Sequence, residues 1–244
     1  MNRNYRFVIY DGSSAPVWLA LCQRAILRRI RTIDWNPGLW LSALVMMAFV
    51  MLAGSVSAAD LLLDARMKKV LADPAAVTTA ITGAKKYTFF CEVCHGADGI
   101  SQKGDVPNLA QQNSSYLLTQ IDKFSRGQRK YKFMEDSMKL LTAEDKIDLA
   151  VYFSTRQVKP AGNQTSAAGG VLFTDHCSVC HLAKAQGNET TPRLAGQQPQ
   201  YLSQSIHRYR DRTGERIYEP MSAMTASLKD PEIQALTVYL SSLK

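Results

Sequence analysis

The pattern Cys-x-x-Cys-His occurs twice, as Cys91-Glu-Val-Cys94-His95 and Cys177-Ser-Val-Cys180-His181, with the two copies 86 residues apart. Each copy sits in the same frame. Gly83 and Gly169 precede the first cysteine by eight residues, and Tyr87 and Phe173 precede it by four. Downstream come Pro107-Asn108-Leu109-Ala110 and Pro192-Arg193-Leu194-Ala195, then Tyr116-Leu117 and Tyr201-Leu202. A G-x-R-x-Y-x-x-M string follows in both halves, from Gly127 to Met134 and from Gly214 to Met221. Leu141 and Leu228 lie seven residues beyond each Met, and Tyr152 and Tyr239 eleven beyond those. A repeat this long is an internal duplication, and it must be read before any local feature. It divides the body into units at 83–156 and 169–244. Between them, 157–168 is rich in Pro, Gly, Asn, Gln, Thr and Ser and reads as a linker.

The chemistry of Cys-x-x-Cys-His is that of covalent haem attachment. Two thiols at this spacing add across the two vinyl groups, and the adjacent imidazole is then carried beneath the iron, for which His is a natural ligand. A zinc site built from two Cys pairs would place them about 15–20 residues apart, far closer than here. A thioredoxin-like pair would need alternating strands and helices, which the sequence lacks. Two disulfides would leave the His after each pair unexplained. The residues therefore point to two haem c groups, on Cys91 and Cys94 with His95, and on Cys177 and Cys180 with His181. For the opposite side of the iron each half offers two methionines. Met134 and Met221 hold identical distances to the Gly, Arg and Tyr before them and the Leu after, whereas Met138 and Met224 are out of frame by one residue. Met134 and Met221 are the expected axial ligands, with Met138 and Met224 as packing residues. Pro107 and Pro192 are expected to offer their carbonyls to the other ring nitrogen of each His, which would fix tautomer and basicity. His176 and His207 read as solvated or packing residues.

The first 59 residues have a different character. Arg24, Arg28, Arg29 and Arg31 precede 21 uncharged residues, Leu39 to Ala59, apolar at first and thinning into Gly54, Ser55, Ser57, Ala58 and Ala59. Residues 1–59 thus read as a secretory signal cleaved after Ala58 or Ala59, or as an uncleaved membrane anchor through 39–59. Either places the body outside the cytoplasm, with the basic flank left inside. The formal charge of +8 divides evenly between this flank and the body, so the body is too mildly basic for a nucleic-acid partner.

The periodicity predicts helices alone. One enters each Cys pair, over 77–90 and 168–175, and a second starts near Ser114 or after Pro199. Thr142-Ala-Glu-Asp145 reads as a capping box ahead of a helix burying Ile147, Ala150, Val151 and Phe153. Its counterpart is expected to start with Asp230 as cap and Pro231 at the first helical position, burying Ile233, Leu236, Thr237 and Leu240. Residues 60–82, with an amphipathic stretch from Leu61 to Leu71, read as an N-terminal helical extension. The fold class is all-α, and domains this small struggle to complete their cores without a staple or a cofactor.

With Cys-x-x-Cys-His, a downstream proline, G-x-R…M and an aromatic-bearing terminal helix, each unit resembles a class I cytochrome c, and the tandem resembles the di-haem cytochrome c4 family. Leu182 departs from the family pattern, which often has Gly there, as Gly96 stands after the first His. The resemblance implies two helical haem domains related by a pseudo-twofold axis. It also implies a periplasmic electron carrier between a quinol-oxidising cytochrome complex and a terminal oxidase. Its redox partners would then be a quinol-oxidising complex and a terminal oxidase or a dehydrogenase. A fixed electron-entry subunit of a membrane oxidoreductase is the alternative, and a di-haem peroxidase a more remote one, because His/Met ligation of both irons leaves no open site for substrate.

Overall fold

The computed structural model describes residues 58–214 and 218–244, and among the described residues every regular element is helical. The first unit contains α1 (Ala58–Leu71), α2 (Pro74–His95), α3 (Ser114–Ser125), α4 (Lys132–Lys139) and α5 (Ala143–Ser154). The second contains α6 (Ala167–Leu172), a π-helical turn over Phe173–Cys177, α7 (Ser178–His181), α8 (Pro199–Asp211), α9 (Glu219–Thr225) and α10 (Asp230–Ser242). This is the expected all-α fold with two c-type domains in tandem. The expected leader or anchor over 1–59 lies outside the described residues for all but its last two positions. Among the described residues no helix is long and apolar enough to cross a membrane.

Local chemistry sets the helix ends. Asp73 accepts a hydrogen bond from Ala75 N–H (2.9 Å), and Pro74, which has no N–H to leave unpaired, opens α2. The helix then runs without interruption to His95, past both ends of the expected 77–90, so 74–82 of the extension belong to the helix that bears the first Cys pair. At α5 the Thr142–Asp145 capping box forms in both directions. At α10 the start lies one residue earlier than expected. Lys229 is the cap and donates its N–H to Glu232 Oε2 (2.8 Å), while the Asp230 carboxylate turns aside to accept from Arg210 Nη1 (2.6 Å). Asp230 also meets His207 Nε2 at 3.3 Å, which sets that histidine in a partly exposed surface clasp.

The repeated glycines mark helix crossings. Gly83 on α2 lies against the Asp148 side chain of α5, and Gly169 on α6 lies against the Ala235 carbonyl and the Tyr239 Cβ of α10. A Cβ at either position would overlap the facing helix. The two cores form behind these crossings. The first buries Ile147, Leu149, Ala150, Val151 and Phe153 with Leu117 and Leu118, and the second buries Phe173, Leu202, Leu236 and Leu240. The helix α1 packs on α2, α3 and α5 with Met67 fully buried, so the extension is part of the first core.

Candidate haem-attachment sites

The same backbone device builds both sites. After each His the chain turns, and one carbonyl in that turn accepts from two successive amides of the proline loop. Gly99 O accepts from Leu109 N–H (2.8 Å) and Ala110 N–H (3.1 Å), and Ala185 O accepts from Leu194 N–H (2.8 Å) and Ala195 N–H (3.1 Å). The next amide ties each loop to its terminal helix: Gln111 N–H donates to Phe153 O and Gly196 N–H to Leu240 O, each at 2.9 Å. Held in this way, each loop presents its proline carbonyl to the histidine. His95 Nδ1 lies 2.8 Å from Pro107 O, and His181 Nδ1 lies 3.0 Å from Pro192 O. With Nδ1 donating, Nε2 is the nitrogen left to act as a ligand in both rings. Both histidines are buried, and burial lowers both pKa values, so both are neutral imidazoles at neutral pH.

Cys91, Cys94, Cys177 and Cys180 form no disulfide among the described residues. Cys91 and Cys177 are part-buried, and burial pushes both up to about 11. Each unit therefore brings its Cys pair, His and Pro together. Met134 and Met221 lie apart from these groups in sequence, each half-buried at the third position of its own short helix, α4 or α9. Those helices pack on α3 and α8 respectively. Met138 is buried in the first unit, whereas Met224 is 44% exposed and fills no core.

The donor set suits haem c: two thiols, a neutral imidazole with one ring nitrogen committed, and a thioether in each half. A further observation fits as well. Arg193, next to Pro192, is almost fully buried, and its Nη2 has no hydrogen-bond partner among the described residues. An unpaired buried guanidinium nitrogen is costly and suits an anion such as a haem propionate.

The units join through the two proline loops, and sequence reasoning missed the residues responsible. Gln197 Oε1 accepts from Asn108 N–H (2.6 Å) and its Nε2 donates to Asn108 O (3.0 Å). Gln112 does the same to the backbone of Arg193, at 2.7 and 2.9 Å. Asn113 Nδ2 donates to Gln186 O (3.2 Å), and Gln198 Nε2 donates to Ser101 O (2.7 Å). Each bond has its mate at a constant sequence offset, the mark of an isologous, pseudo-twofold contact. The signal was present in the sequence, since Gln112 and Gln197 each stand five residues after their proline. Bonds outside this symmetry include Arg129 Nη2 to Tyr201 OH (3.3 Å), Tyr201 N–H to Gly104 O (2.8 Å) and Lys68 of α1 to Glu189 (2.7 Å) in the second unit.

Comparison with known proteins agrees with this geometry. The family model described as Cytochrome c matches residues 166–244. Cytochrome c4 of Pseudomonas aeruginosa is 30% identical over 167 residues, covering 63% of this chain and 83% of that protein. The crystal structure of reduced recombinant cytochrome c4 from Pseudomonas stutzeri superposes with a TM-score of 0.60 at 29% identity, covering 68% of this chain and 98% of that one. A thiosulfate dehydrogenase electron acceptor of Stutzerimonas stutzeri is 28% identical over 183 residues, covering 66% of this chain and 82% of that protein.

Proposed function

We propose, for a chain that belongs to the cytochrome c4 family of di-haem c-type electron-transfer cytochromes, that haem c is carried at two defined sites. Cys91, Cys94, His95 and Met134 would hold the first, and Cys177, Cys180, His181 and Met221 would hold the second. The observation that carries this reading is the duplicated bond from His Nδ1 to the proline carbonyl, set in both halves by equivalent loop hydrogen bonds. Haem bound there supplies a one-electron iron couple. The residues do the rest. Each thiol would hold the haem by adding its S–H across a vinyl double bond, and each proline carbonyl fixes the orientation of its imidazole. The Met134 and Met221 thioethers, as ligands, would favour the reduced state. The Arg193 guanidinium is placed to neutralise a propionate.

The chain acts as an electron carrier in the periplasm, exported through residues 1–59. It takes electrons from a quinol-oxidising complex and passes them to a terminal oxidase. Exposed Phe89, Phe90 and Val93 around the first Cys pair, and Val171 and Val179 around the second, suit brief docking of redox partners. A second reading, in which a dehydrogenase is the donor, is favoured by the relative named for accepting electrons from thiosulfate dehydrogenase. An intact mass of the purified protein tests the core of the proposal. Two haem additions on a chain beginning at Ala59 or Asp60 are expected. One haem or none would refute the two-site reading, and a retained N-terminus upstream of Leu39 would replace cleavage with a membrane tether.

A further inference from the structure

The peptide group that receives each histidine is held at its other end by the opposite unit. Pro107 C=O and Asn108 N–H belong to one amide. Its oxygen accepts from His95 Nδ1 at 2.8 Å, and its N–H donates to Gln197 Oε1 at 2.6 Å. In the mirror arrangement, Pro192 O accepts from His181 Nδ1 at 3.0 Å, and Arg193 N–H donates to Gln112 Oε1 at 2.7 Å. All four interface residues are buried: Asn108 is 3% exposed, Gln197 6%, Gln112 7% and Arg193 9%. Each glutamine amide also donates back to the carbonyl of the residue it grips, so its orientation is fixed by two bonds and its Oε1 cannot turn away.

Resting on the two-site reading above, we infer that Gln112 and Gln197 are positioning residues that tune the haem of the opposite unit. An amide whose N–H is engaged by a strong acceptor is polarised, and its carbonyl becomes a better acceptor in turn. A better acceptor at Nδ1 gives the imidazole more anionic character and a stronger hold on the oxidised iron. Gln197 therefore lowers the potential of the haem bound by His95, and Gln112 lowers that of the haem bound by His181. The arrangement makes each site's electronic setting depend on the docked state of the other unit. It also explains why two side chains that touch neither Cys-x-x-Cys-His motif are buried five residues after each proline.

The test is a redox titration of the holoprotein followed by NMR, which resolves the two haems, on wild type, Gln197→Leu and Gln112→Leu. Gln197→Leu is expected to raise the potential of the haem on Cys91 and Cys94, leave the other within error, and move the His95 Nδ1–H resonance upfield. Gln112→Leu is expected to give the crossed pattern, at His181 and the haem on Cys177 and Cys180. Equal shifts of both haems, as a loosened interface alone would give, overturn the inference, as do shifts confined to the substituted unit or no shift. Should either variant fail to assemble, the wild type carries the test: the Asn108 amide proton must respond to reduction of the first haem more than the Arg193 amide does, and a reversed or absent response counts against it. Haem content is measured on the same samples. Protein without two covalent haems overturns the two-site reading together with this inference, whereas two haems with uncrossed shifts overturn the inference alone.

Discussion

Leu182 holds a backbone conformation suited to glycine. It has φ 63° and ψ 160°, and Gly96, its equivalent after the first His, has φ 75° and ψ 165°. A side chain in this region costs on the order of 1–3 kcal/mol. Leu182→Gly should therefore stabilise the second unit by about 1 kcal/mol, read as a higher midpoint in denaturant, and an unchanged or lower midpoint would show that Leu182 packing offsets the strain. Asp148 is a second residue working against the fold. It is buried beside Gly83, with Glu144, Asp145 and Lys86 around it, and burial pushes its carboxyl up to about 6. Unfolded, the same group titrates near pH 4. The folded state thus binds this proton more tightly, and stability falls as pH rises from about 4 to about 6. Asp148→Asn should stabilise the protein at pH 7 by about 1–2 kcal/mol, after discounting for water in the cleft beside it, and by nothing at pH 4. Unfolding curves at the two pH values check the sign.

The helices divide into those the sequence shows plainly and those it hides. Strong local signals marked α5 and α8: a capping box before Ile147 and Pro199 at a first helical position. By contrast α4 and α9, which carry Met134 and Met221, are short and open without a side-chain cap, and Pro220 in the first turn of α9 is a weak signal for so short a helix. The entry to the second Cys pair also differs from its expected plain helix, because a π-helical turn over Phe173–Cys177 separates α6 from α7. Repetition located Gly83 and Gly169, but only the packing explains them. Gly169→Ala should cost about 3 kcal/mol, since its new methyl meets the Ala235 backbone, which cannot move aside as a flexible side chain can. The role of α1 is likewise a matter of packing. Met67→Ala should cost about 2–5 kcal/mol, as expected for a fully buried side chain. A loss below 1 kcal/mol in thermal unfolding would show α1 to be a detachable appendage.

At the scale of the molecule, duplication was legible because covalent attachment imposes fixed spacing, and the two His–Pro carbonyl bonds stand where the spacing placed them. The joint between the units was harder to read. Its main bonds run from Gln and Asn side chains to backbone atoms, so Gln112 and Gln197, although repeated five residues after each proline, carry no chemical signature of a contact. The joint and the two sites share the same loops, and the proposed ligation by Met134 and Met221 would close both irons to outside ligands. Carbon monoxide titration of the reduced protein tests that claim most directly. Wild-type protein should bind it poorly at both haems, Met134→Ala and Met221→Ala should each open one haem, and Met138→Ala and Met224→Ala should open neither. Rapid stoichiometric binding by the undamaged wild type would contradict the account and point to an open, enzyme-like iron.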